Sequence, residues 1–133
     1  MPKYSGFKME VPSNSRKLLG RWGEELAAAH YRKLGWSILG MGYHSRFGEI
    51  DVIAEKRGLI VFAEVKLRKD DKFAPAALQV NAAKQRKLRA TAELWLSLYG
   101  EDRCARFDVV EIYAPDGTAT QKPQICHMED AFQ

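Results

Sequence analysis

The chain has 133 residues, 46% hydrophobic and 29% charged, with a formal net charge of +4. That suits one domain with its own core, and no apolar run approaches the roughly 20 residues a membrane span needs. The opening "MPKYSGFKME" holds no apolar signal-peptide core, so a cytoplasmic, bacterial protein without membrane association is expected.

Residues 1 to about 14, with Pro2, Gly6 and Pro12, read as a loose leader. "SNS" at Ser13 to Ser15 offers N-cap groups for a helix from about Arg16 to Leu34. In that span Leu19, Trp22, Leu26 and Ala29 recur at three- and four-residue steps, one face of an amphipathic helix, and Gly35 supplies the C-cap. "WSILGMGY" (Trp36 to Tyr43) predicts a strand. A second runs from Gly48 to about Ala54, and a third from Leu59 to about Leu67. Between them "EKRG" (Glu55 to Gly58) has the chemistry of a hairpin turn. Pro75 is expected to open a long helix with apolar positions at Leu78, Leu88, Leu94, Trp95 and Leu98, ending near Tyr99 and Gly100. "RFDVVEIY" (Arg106 to Tyr113) predicts a fourth strand closed by "PDG", and a short edge strand is expected at Gln124 to His127. No linker divides the chain. The expectation is a single domain, with its core at about 15–113 and a C-terminal tail at 114–133. The order αβββαβ implies an α/β fold with a mixed sheet and helices packed on it.

The segment "GEIDVIAEKRGLIVFAEVKLR" (Gly48 to Arg68) interrupts core-like strands with charge. Side chains alternate faces along a strand. Glu49, Asp51 and Ile53 therefore share one face of the second strand, and Ile60, Phe62, Glu64 and Lys66 share one face of the third, in phase with it. If the strands pair through the turn, Asp51 and Glu64 meet away from it, with Lys66 about 7 Å farther along the same face. Two close carboxylates repel unless a proton or cation sits between them. Hard oxygen ligands suit Mg²⁺ or Mn²⁺, and an ion there would serve phosphodiester chemistry, with Lys66 orienting water or stabilising charge on phosphorus. A structural Glu64–Lys66 or Asp51–Lys66 ion pair would leave the same trace in the sequence.

"GEID" followed by "EVK" resembles the signature of the PD-(D/E)XK nuclease superfamily. "GRWGEELAA", "VFAEVKLR", "VNAAKQRKL" and "RFDVV", in that order, are similar to the YraN family of predicted endonucleases, relatives of Holliday junction resolvases. The resemblance spans roughly residues 16 to 113. It implies a restriction-endonuclease-like αβββαβ core, metal ligation by Asp51 and Glu64, and Lys66 as the catalytic lysine. It adds Glu24 on the first helix as a further metal-site residue. The chain departs from the family where an asparagine usually precedes GEID; here "MGYHSRF" stands instead. Glu24 also has a local argument: Gly20, Ala27, Ala28 and Tyr31 surround it at helical spacing, whereas Glu25 has Arg21 and Arg32 and reads as a surface residue. Glu49 is expected at the edge of the cluster, and Gln85 and Lys84 as polar residues lent by the second helix.

"KQRKLR" (Lys84 to Arg89) holds four cations and no acid, and "KLRK" (Lys66 to Lys69) holds three. Lys84, Arg86, Lys87, Arg89 and Arg68 are candidates for a phosphate track, with a solvated face as the plain alternative. Cys104 and Cys126 are expected as reduced thiols, and neither forms a CxxC pair. His30, His44 and His127 carry no assigned role. The sequence therefore favours a metal-dependent endonuclease acting on DNA, with branched DNA one candidate substrate and a two-fold homodimer the assembly suited to a resolvase-like role. The alternatives are a non-catalytic nucleic-acid-binding module of the same fold, and a scaffold binding protein through its sheet edge.

Overall fold

The computed structural model describes residues 12–69, 80–100 and 102–132, with side chains of the first helix described from Arg16 onward. The first helix, α1, spans Pro12–Lys33. Pro12 therefore opens it, where a missing N–H costs nothing, and Ser13 to Ser15 lie inside its first turn rather than capping it. Its end follows the predicted cap. The Trp36 N–H donates to Tyr31 O and the Gly35 N–H to Arg32 O, both at 3.0 Å, the crossed pair that satisfies the last carbonyls of a helix. The buried stripe is displaced from the expected one. Ala27, Ala28 and Tyr31 are fully buried and Trp22 and Leu26 partly so, while Ala29 faces solvent.

Five strands follow: β1 (Ser37–Ser45), β2 (Gly48–Lys56), β3 (Leu59–Arg68), β4 (Cys104–Tyr113) and β5 (Gln124–Phe132). They form one sheet in the order β1-β2-β3-β4-β5. The β3–β4 pair is parallel and the rest are antiparallel, as a helical crossover between β3 and β4 requires. The β2–β3 hairpin closes between Lys56 and Leu59. Its two-residue turn places Arg57 at φ 52° and Gly58 at φ 85°, the left-handed pair whose twist matches that of the strands. β5 runs five residues past the His127 limit expected for it, to Phe132, whose ring stacks on Phe107 of β4 at 5.0 Å between centroids.

The second helix, α2, spans Ala82–Trp95. Asn81 caps it, its Oδ1 accepting from the Lys84 N–H at 2.9 Å, so the helix starts later than the expected Pro75; Pro75 and Leu78 lie outside the described residues. Leu96–Gly100 then form a π-turn rather than a further α-turn.

Two apolar cores sandwich the sheet. On the α1 side Val52, Ala54, Val61, Ala63, Val110 and Ile112 meet Ala27, Tyr31 and Trp36. On the α2 side Ile53, Ile60, Phe62 and Val109 meet Leu88, Ala92 and Trp95. Each large side chain so enclosed contributes about 1.5–3 kcal/mol. The predicted parity holds except at Ile50, which packs with the α2 side. The exception falls where the β2–β3 ladder ends, at Val52 opposite Ala63.

Candidate functional site

Beyond Val52 the two strands no longer pair, and Asp51 fills the gap. Its Oδ2 accepts from the Val65 N–H at 2.8 Å, a carboxylate where a ladder carbonyl would stand. One residue before Val65, Glu64 is 6% exposed, a buried acid that needs a counter-charge. Two ammoniums provide it. Lys66 Nζ lies 3.3 Å from Glu64 Oε2, and Lys84 Nζ, from the first turn of α2, closes on the same oxygen. Asp51 and Glu64 line one cleft of about 530 Å³ with Gly48, Glu49, Asn81, Lys84 and Lys87.

Gly48 makes room for that cleft's wall. Its φ is +151°, and a Cβ there would lie 3.4 Å from Thr91 Oγ1 and 3.5 Å from Lys87 Cβ. The start of β2 thus lies against α2, and Ser45 Oγ donates to Thr91 Oγ1 at 3.3 Å to hold the corner.

The electrostatics follow from burial and crowding. Burial first, then the charge of Glu64, pushes the Asp51 pKa up to about 7, against the pull of the Val65 N–H. Lys66 is lowered, chiefly by burial and then by the Lys84 ammonium beside it. Burial also pulls Lys84 down, but the Glu64 carboxylate outweighs it and the net shift is upward.

Glu24 stands in an adjoining cleft with Lys17, Arg21, Gly42, His44 and Glu49, and its pKa is raised by burial and then by Glu49. Glu49 lines both clefts, and the charge of Glu24 reaches Asp51. Glu25 is exposed, as its charged neighbours implied. Gln85 is turned away from the acids: its Nε2 donates to Val80 O at 2.8 Å, tying the approach to α2. Arg68 pairs with Glu111 on β4 at 3.2 Å. Arg86 is exposed, Arg89 half-buried, and Lys87 alone of the α2 run joins Lys84 at the cleft. Both cysteines are free and exposed.

The donor set fits a small hard cation. Asp51 and Glu64 offer carboxylate oxygens, and among the described residues no three His, Cys, Asp or Glu side chains converge as a ready cluster. An ion there would take its remaining ligands from water and phosphate, as Mg²⁺ commonly does.

A family model for the uncharacterised protein family UPF0102 matches residues 23–112, which take in the Gly48–Arg68 hairpin and its acids. The chain belongs to the UPF0102 family. UPF0102 proteins similar to it include one from Geotalea daltonii, 40% identical over 120 residues and covering 90% of this chain and 92% of that one. Another, from Syntrophomonas wolfei, is 41% identical over 118 residues, covering 86% and 96% of the two chains. A third, from Rhodococcus jostii, is 40% identical over 115 residues, covering 86% and 95%.

One polar cluster of this UPF0102 chain drew no role from its sequence. Asp108 on β4 is fully buried on the α1 side. Its carboxylate accepts from Tyr31 Oη at 2.7 Å, from His127 Nε2 at 2.7 Å, from Arg106 Nε at 2.9 Å and from the Asp130 N–H at 3.0 Å. His30 Nε2 lies 3.0 Å from His127 Nδ1, so both histidines, given no role from the sequence, join this cluster. Burial raises the Asp108 pKa, but these donors outweigh it and hold the carboxyl at about 2. The available signal was a carboxylate at mid-strand in "RFDVVEIY", two residues from an arginine and hence on the same face.

Proposed function

We propose that this UPF0102 protein is a metal-dependent endonuclease that hydrolyses DNA phosphodiester bonds, with branched DNA one candidate substrate. The observation that carries the reading is the meeting of Asp51 and Glu64 in one cleft where two paired strands part, with the Lys66 ammonium held against Glu64. A sheet corner holds such groups rigidly, and burying charge there is costly unless it is paired, as Glu64 is by Lys66 and Lys84.

Asp51 and Glu64 would hold Mg²⁺ or Mn²⁺, which when bound supplies polarisation of a phosphate oxygen and a more acidic water. The protein's own residues do the rest. Asp51 must give up its proton to serve as a ligand, and its pKa near 7 places that loss near neutrality. Lys66 is held against Glu64, and its ammonium would stabilise charge that develops on the phosphoryl oxygens. Lys84 and Lys87 line the same cleft and would offer their ammoniums to the backbone phosphates. Glu49 and Glu24 add negative potential next to Asp51 and favour retention of a cation. Work as a two-fold dimer in the cytoplasm belongs to the same proposal.

A non-catalytic DNA-binding module is the second reading. It is favoured by the Lys84 ammonium on Glu64, which neutralises an acid that would otherwise repel phosphate. Cleavage of linear, flapped and four-way DNA with Mg²⁺, Mn²⁺ or chelator separates the two. The endonuclease cuts at least one substrate with metal and none with chelator. Binding without cutting under every metal makes the module the better reading.

A further inference from the structure

Two cationic chains converge on one oxygen of Glu64, yet they are held very differently. Lys66 grows from β3 two residues from Glu64, and its side chain is 24% exposed. Lys84 reaches across from α2, and its side chain is 41% exposed. Its backbone is pinned, because its N–H is the donor in the Asn81 cap. Its four-carbon stem is free to swing without moving the helix. Lys87, three residues on, lines the same cleft without pairing to Glu64. Asp51, Glu64 and Glu49 line the cleft with Lys84 and Lys87, and Glu24 acts on Asp51 from next door.

We propose that Lys84 is a displaceable counter-ion: its ammonium and a divalent cation compete for Glu64 Oε2, and cation binding releases Lys84 toward the phosphate backbone. The proposal rests on the endonuclease reading for its cation, and on the Lys84–Glu64 contact for its mechanism. A doubly charged ion answers two carboxylates better than one ammonium does, since the attraction scales with charge and Asp51 shares it. The released ammonium keeps its charge and stays on its stem beside the cleft. One residue would thus neutralise Glu64 when no cation is bound and clamp phosphate when one is. Metal and DNA would then bind with positive coupling, because metal frees a phosphate contact that DNA uses.

The test is calorimetric titration of the full chain with Mn²⁺, comparing wild type, Lys84→Met, Lys84→Gln and Lys87→Met. Removing a competing charge-assisted contact should tighten Mn²⁺ binding roughly tenfold in both Lys84 variants. Lys87→Met controls for general charge loss and should change it less than about threefold, as expected of a screened, unpaired charge. Equal gains in the Lys84 and Lys87 variants, or weaker binding in the Lys84 variants, overturn the proposal. A second measurement uses no metal. Melting of Lys84→Met, Glu64→Gln and the double variant in chelator should show coupling between the two positions. If Mn²⁺ binds but that coupling is absent, the counter-ion fails and the endonuclease reading stands. If the coupling is present but neither wild type nor the Lys84 variants bind Mn²⁺, the metal-dependent reading fails and takes the displacement with it.

Discussion

Asp51 is under tension between two roles, ladder acceptor and crowded acid. Asp51→Asn keeps the shape and leaves an amide oxygen to accept from the Val65 N–H. It should abolish metal-dependent cleavage while the chain stays folded. Lys66→Ala should also abolish cleavage yet spare Mn²⁺ binding, because an ammonium cannot ligate a cation. If both variants cut as well as wild type, the residues are misassigned even if the enzyme class survives. Asp51 also predicts a pH dependence. Its folded pKa, near 7, lies above its ordinary value of 3.8, so the folded state holds this proton more tightly than the unfolded chain does. The resulting stabilisation is complete below about pH 4 and is lost as the pH rises through about 7. Asp51→Asn should therefore be more stable than wild type at pH 8, by more than about 1 kcal/mol, with the difference vanishing near pH 4. Urea titrations at the two pH values measure it, and a pH-independent difference rejects it. Much of this site was legible in the sequence, because parity along two strands joined by a short turn is a local property. The sequence could not say that the ladder would end at Val52, since that depends on how Gly48 lets β2 approach Thr91.

Among the elements, α1, β4 and β5 are bound together by one carboxylate. Asp108 takes Tyr31 from α1, Arg106 from its own strand, and His127 with the Asp130 N–H from β5. Replacing it with asparagine leaves Arg106 and His127 poorly matched in a largely buried setting and should cost about 3 kcal/mol. The sign with pH is opposite to that of Asp51. The folded pKa, about 2, lies below the ordinary 3.8, so the stabilisation is present above about pH 4 and disappears as the pH falls through 2. The deficit of Asp108→Asn should therefore be full at pH 6 and shrink toward pH 2; a constant deficit would point to packing rather than charge. The start of α2 makes a parallel case. Asn81→Ala removes the acceptor for the Lys84 N–H and should cost about 1 kcal/mol. Because Lys84 is the residue so anchored, Mn²⁺ affinity should shift along with the denaturation midpoint.

Across the whole molecule, the sheet with a helix on each face places a polar cleft at the β2–β3 corner, in a chain whose net charge is +4. If DNA follows that charge, removing Arg86 and Lys87 together should flatten the salt dependence of binding by about two units of slope. An unchanged slope returns the α2 run to an ordinary solvated face. Among the described residues no helix is long and apolar enough to cross a membrane. The order of the elements, the hairpin at Arg57–Gly58, the cap at Gly35 and the two apolar faces of the central strands are all set by the sequence itself. Each is encoded within a few residues, by periodicity, turn chemistry or backbone freedom. The tertiary structure alone decided that Lys84 rather than Gln85 reaches Glu64, and that Glu49 links the Glu24 cleft to Asp51. It alone joined His127 to Asp108 and His30. Those meetings join residues on different elements, many positions apart. Packing geometry selects them, and no local pattern in the chain records which side chains the packed faces will bring within a hydrogen bond.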